Sequence, residues 1–274
     1  MRGLPDRTRR LQISADAQDR LGGAVPSPAA AFLITLIVLP SLFWLVTLKR
    51  TTNHTGPEEW FMTQVAPAFH AWVTSHAPLL DEALRAISAL GSGWFVALGF
   101  ATVGLLALSM RRRDLALLLA LGTLAFPIEW ALKYFTALHV ISVGQLVSAL
   151  FNVNNIGLDD ITDFPAGHAL RATVFYGLVA FCIARLSADR RQGMIAYAVA
   201  LILIGAISVT RLYLLAHYPI DLLGGWMAGA ALVSILVSVH VLRVDERTQR
   251  AALASADPDA PRRVAVPLHG QDRG

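Results

Sequence analysis

The chain has 274 residues, is 55% hydrophobic and 15% charged, and carries a formal net charge of +4. Soluble domains of this length carry roughly a quarter charged residues, so this balance excludes an ordinary soluble globular domain and points to a polytopic membrane protein. The single cysteine, Cys182, excludes an intrachain disulfide and a cysteine-rich metal site.

Residues 1–27, with Arg2, Arg7, Arg9, Arg10 and Arg20, read as a flexible polar tail. Apolar runs of about 20 residues mark spanning helices. Six follow, at 29–48, 94–110, 115–136, 168–186, 194–213 and 219–242. The expected fold class is therefore all-α, a six-span membrane bundle over residues 28–243, with a second polar tail at 244–274. Between the first two spans, Trp60, Phe61, Val65, Phe69 and Trp72, then Leu79, Leu80, Ala83, Leu84 and Ile87, recur at helical spacing. Two short amphipathic helices fit, lying on the membrane surface or packing over the span ends.

The links Arg111-Arg112-Arg113-Asp114 and Arg185 to Arg191 share the arginine richness of the N-terminal arm. Positive residues in short links mark the cytoplasmic side, so both termini are expected inside. Lys49 and Arg50 run against this, and are offset by Glu58, Glu59, Asp81 and Glu82. The basic balance then reads as topology and attraction to anionic lipid, with no nucleic-acid partner expected.

The opposite face gathers the costly polar residues. Ionisable groups in spans face protein interior or aqueous cavities. Glu129 and Lys133 lie four apart near the end of the third span and can pair. Phe164-Pro165-Ala166-Gly167-His168 leads into the fourth, with Arg171 one turn on, and Arg211, His217 and Asp221 bracket the last short link. Two histidines can divide labour as nucleophile and general acid. A carboxylate beside one orients its ring. Lys133 and Arg211 suit phosphate oxygens, and a helix start at Gly167 offers backbone amides to an anion. These parts suit phosphoryl transfer through a phosphohistidine, with no metal and no cofactor expected. His54, His70, His76, His240 and His269 have no partner at telling spacing and read as structural. Asn152, Asn154, Asp159, Asp160 and Asp163 read as a polar loop, since the twelve-residue calcium pattern is missing.

Arg211, five residues, His217, three residues, Asp221 resembles the third signature of the type 2 phosphatidic acid phosphatase superfamily, with Thr210 in place of its usual serine. Pro165-Ala166-Gly167-His168 resembles the second, usually Pro-Ser-Gly-His, and Lys133 alone represents the first. The resemblance implies that His217 is the nucleophile, Asp221 its partner and His168 the acid. It implies that Lys133, Arg211 and the Gly167 amide hold phosphate, in a six-span membrane phosphatase. Three departures stand beside it. Val140 and Ile141 replace the Arg-Pro of the first signature, and Ala166 removes a hydroxyl donor to phosphate. A donor in a comparable oxyanion role is worth roughly 2.7–4 kcal/mol. His139 and Arg171 are candidate replacements for the lost arginine, with Arg171 alternatively facing Glu129 or supporting a lipid headgroup.

The expected function is a metal-independent phosphatase of a lipid phosphate or diphosphate, of the prenyl diphosphate or phosphatidate type. The expected setting is a bacterial inner membrane with the site on the outer face. A lipid-linked phosphotransferase and a non-catalytic lipid-binding protein on the same scaffold stay open, the latter favoured by Val140 and Ala166. The sequence leaves the oligomeric state open.

Overall fold

The computed structural model describes residues 28–51, 56–136, 164–187 and 189–256. The segments 1–27 and 257–274, the loop with Asn152 to Asp163, and His54, His139, Val140, Ile141 and His269 lie outside the described residues.

Every regular element among the described residues is helical. Helix α1 is Pro28–Thr51. Helix α2 starts as Pro57–Trp60 and runs through a wider π-helical stretch, Phe61–Val65, into Ala66–His76. The others are α3 (Pro78–Ala89), α4 (Gly93–Ser109), α5 (Arg113–Gly122), α6 (Ala125–Thr136), α7 (Gly167–Leu186), α8 (Arg190–Tyr213) and α9 (Pro219–Ala256). Helix α9 runs past 243 into the segment expected to be a tail. Proline sits at the first turn of α1, α3 and α9, where its missing N–H breaks no helical bond.

By length and composition, Arg113–Thr136 (α5 with α6), Gly167–Leu186, Arg190–Tyr213 and Pro219–Val244 can cross a membrane. Helices α3 and α4 pass the same test together across a 54° bend, which makes five. The first expected span is present as α1, but its apolar stretch, Phe32–Thr47, is shorter than the others. The six expected spans are thus supported as four to five. The chain is a multi-pass membrane protein. Phe43 and Trp44 on α1, Leu98 and Leu105 on α4, and Leu201 and Ile202 on α8 are all exposed, as lipid-facing side chains are.

Helix α7 is the centre. It packs against α8 and α9 on one side and α4, α5 and α6 on the other. Leu170, Val174, Leu178 and Phe181 are buried in the main core, and Phe175 meets Phe100 of α4 edge to face at 5.1 Å. Between lipid-soluble helices there is little hydrophobic drive, so close backbone approach through small residues does the holding. Gly225 and Gly229 of α9 supply it: a Cβ on Gly225 would lie 2.6 Å from the Ala166 carbonyl oxygen and one on Gly229 2.6 Å from Thr173 Cβ.

Helices α2 and α3 pack against α8. Tyr213, the last residue of α8, donates its hydroxyl to Asp81 Oδ1 at 2.8 Å, while Arg85 Nε holds Oδ2 at 2.9 Å. Glu58 Oε1 accepts the Ile220 N–H at 2.8 Å, satisfying an amide in the first turn of α9.

Gly225→Ala must push backbone apart where α7 meets α9, and we expect a thermal midpoint lowered by several degrees in detergent, at a cost of about 1–3 kcal/mol. Gly205→Ala on α8, where an added Cβ meets nothing within 4 Å, should leave the midpoint unchanged or slightly raised. Equal destabilisation by both would remove the close-approach reading.

Candidate active site

The site is built where α6, α7, α8 and α9 end or begin together. Helix α8 terminates without a glycine. Leu215 takes a left-handed φ of 56°, the Ala216 N–H bonds the Arg211 carbonyl at 3.0 Å, and the Leu215 N–H bonds the Leu212 carbonyl at 3.1 Å. This reversal is the Schellman pattern. It sends the chain back over Arg211 and delivers His217 directly before α9. Within α9, Asp221 Oδ2 accepts the Tyr218 N–H at 2.9 Å, one half of a capping box. The same oxygen lies 4.0 Å from His217 Nδ1, with Asp221 fully buried. One carboxylate therefore caps the helix and faces the imidazole.

The Pro165–His168 turn is fastened from both sides. The Ala166 N–H donates to the Asp221 carbonyl at 2.9 Å, and the Thr136 hydroxyl donates to the Phe164 carbonyl at 2.9 Å. Phe164-Pro165 is a cis peptide. Helix α7 then starts at Gly167, with no side chain capping it at Ala166. His168 on its first turn is buried, and its Nε2 meets no hydrogen-bond partner among the described residues. Arg211, Arg171, His217 and Lys133 all stand within electrostatic reach of His168.

Each buried cation has a defined partner. Arg211 Nη1 donates to the Ser88 hydroxyl at 3.2 Å. Arg171 is 1% exposed; its Nη1 pairs with Glu129 Oε2, its Nε reaches the Gly91 carbonyl at 3.5 Å, and its guanidinium lies 5.9 Å from the Phe126 ring centroid. Lys133 Nζ is 3.6 Å from Glu129 Oε1. Glu129 thus divides its two oxygens between Lys133 and Arg171. Its carboxylate also occupies the space that a Cβ on Gly167 would need. An internal anion therefore sits beside the start of α7, where substrate phosphate was expected.

All eight sequence-derived residues, His217, His168, Asp221, Lys133, Arg211, Gly167, Ala166 and Arg171, lie in this one region. Arg171 faces Glu129, one of the three directions considered for it. Sequence reasoning missed Ser88 in the last turn of α3, which holds Arg211, Gly91 in the α3–α4 turn, which holds Arg171, and Glu58. The small-residue run Gly91-Ser92-Gly93 was a visible turn signal, but nothing in it points to an arginine 80 positions away. Among the described residues, no three His, Cys, Asp or Glu side chains form a group able to hold a metal ion.

These buried histidines and cations lie at one end of a helical bundle with four to five candidate membrane spans, which defines the class as a multi-pass membrane protein. A family model for the PAP2 superfamily matches residues 92–245, more than half of the chain, and the protein belongs to that superfamily. Its fold is similar to the crystal structure described as the first transmembrane PAP2 type phosphatidylglycerolphosphate phosphatase, from Bacillus subtilis. That match has a TM-score of 0.53 and 20% identity, covering 82% of this chain and 98% of that one. No curated protein matches the sequence significantly.

A carboxylate shared by two buried cations is coupled to both. Breaking a buried pair costs about 3–5 kcal/mol, because the surviving charge is left uncompensated. Arg171→Gln and Glu129→Gln should each lower stability, and the double variant should lose less than the sum by at least about 1 kcal/mol. A cycle of unfolding measurements in detergent reads this directly, and strict additivity would show the pair to be uncoupled.

Proposed function

We propose that the protein is a metal-independent membrane lipid phosphatase acting through a phosphohistidine. The observation that carries the proposal is the convergence of His217, faced by Asp221, with His168, Arg211, Lys133 and Arg171 at one end of the bundle. The reading includes a six-span layout, with α1 and α4 as the first two spans, both termini cytoplasmic, and the site on the outer face of a bacterial inner membrane.

In this mechanism Asp221 faces Nδ1 of His217, which leaves Nε2 to attack phosphorus. The bond from phosphorus to the leaving oxygen, which is the lipid oxygen of a monoester or the bridging oxygen of a diphosphate, breaks as the N–P bond forms, and His168 gives its proton to that oxygen. Water, deprotonated by His168, then attacks phosphorus. The N–P bond breaks and inorganic phosphate leaves. Arg211, Lys133 and the Gly167 amide hold the phosphate oxygens, with Arg171 supplying positive charge nearby. A nucleophile at headgroup depth suits an amphiphile with its phosphate there: a prenyl diphosphate such as undecaprenyl diphosphate, or a phosphatidate-type monoester.

Glu129 favours one competing reading. With Lys133 and Arg171 both engaged by it, and Ala166 lacking a hydroxyl, the site is also suited to binding a lipid without turnover. Transfer of the phosphoryl group to a lipid hydroxyl would use the same phosphohistidine, with an acceptor in place of water.

Purified protein with EDTA should release phosphate from undecaprenyl diphosphate or phosphatidate, and His217→Ala should reduce the rate by at least about a thousandfold. Silence of both proteins on both lipids, with lipid binding retained in the variant, would select the binding reading. Labelled phosphate recovered on an added lipid alcohol would select transfer.

A further inference from the structure

The opposite end of the bundle holds a second polar site that the phosphatase chemistry does not use. Between α5 and α9 lies a cavity of about 290 Å³. Of its lining residues Arg113 and Arg243 are exposed, Leu118 and Leu236 are buried, and Asp114 and His240 complete the polar part. His240 is buried, its ring edge-on to Phe181 at 5.6 Å, and its Nε2 is 3.8 Å from Asp114 Oδ2. From Asp221 to His240 helix α9 rises about 28 Å, close to the roughly 30 Å thickness of a bilayer's hydrocarbon core. The cavity therefore lies at the far headgroup level.

We propose that this cavity binds one anionic phospholipid of the leaflet opposite the candidate active site. Three observations agree on that occupant. The two arginines supply fixed positive charge at headgroup depth, while the one carboxylate in the lining, Asp114, has the His240 ring 3.8 Å away. The deeper lining is aliphatic, which suits the start of an acyl chain and gives nothing to a free inorganic anion. The surrounding surface is basic as well, with Arg111 and Arg112 in the α4–α5 link and Arg190 and Arg191 opening α8, so anionic lipid is concentrated there. Basic pockets between spanning helices hold anionic headgroups for this reason. The phosphate would take hydrogen bonds from both guanidinium groups. His240, read from sequence as structural, would then be the residue that holds Asp114 away from the lipid phosphate.

The test uses full-length protein, delipidated in detergent, with thermal unfolding followed against added phosphatidylglycerol, phosphatidylcholine or inorganic phosphate. Phosphatidylglycerol should raise the midpoint saturably and the other two should not. Arg113→Gln with Arg243→Gln should weaken the response by roughly thirtyfold in lipid concentration, with the lipid-free midpoint near wild type. Leu236→Trp, which fills the aliphatic part and keeps both arginines, should also abolish the phosphatidylglycerol response. Arg190→Gln with Arg191→Gln is the control and should retain it. An undiminished response in both cavity variants overturns the proposal. So does an equal loss in the control, which would mean diffuse surface attraction, or an equal shift with inorganic phosphate, which would mean a free-anion site.

Discussion

The site end of this protein depends on one carboxylate. Lys133, Arg171 and Arg211 are each less than a tenth exposed at the end of an apolar bundle, where unpaired charge is far costlier than in water. Glu129 meets two of them at once, one through each oxygen. Without it, α6 and α7 would bring two cations together with nothing between them. With it, the two helices are drawn into register and the start of α7 is filled at Gly167, the position where the added bulk of any other residue would collide with the same carboxylate.

Around that pairing, the placement of the histidines is the work of the main chain. His217 is carried by the left-handed turn at Leu215 and by the capped start of α9, and His168 by a turn tied to the Asp221 carbonyl and the Thr136 hydroxyl. Asp221 takes part twice, its carbonyl oxygen toward α7 and its carboxylate toward His217 and Tyr218. The two halves of the site therefore meet through backbone bonds, which are short, directional and indifferent to most side-chain changes.

Much of this was legible in the sequence. Apolar run length located the helices, because the bilayer sets how many residues a span needs, and the ionisable residues stood out because few are tolerated there. The i,i+4 spacing of Glu129 and Lys133 predicted their pair, and the intervals from Arg211 to Asp221 placed three groups around one turn. The break of the third span into α5 and α6 at Thr123 and Leu124 was missed because the run stays apolar throughout, although Gly122 before it and Pro127 after it are helix-stop residues. The Leu215 turn was hidden for another reason: its φ is one that glycine adopts freely, and no glycine is there. Ser88, Gly91 and Glu58 reach the site across long sequence separations, and spacing rules speak only for neighbours on one element. Span number was the least secure reading, because α1 and α4 sit at the margin of the length a bilayer requires.

Ala166 adds a consequence for how such a site changes over generations. Its amide makes a backbone bond to Asp221 of α9, while its methyl group packs in an apolar cluster with Ala169 and Leu222. The architecture is therefore anchored by the part of the residue that every amino acid except proline shares. Alanine and serine codons differ by a single base, so a hydroxyl can be lost or regained here in one mutational step without redrawing the backbone. Side-chain chemistry and structural integrity are separable at this position, and a lineage can change the one while keeping the other.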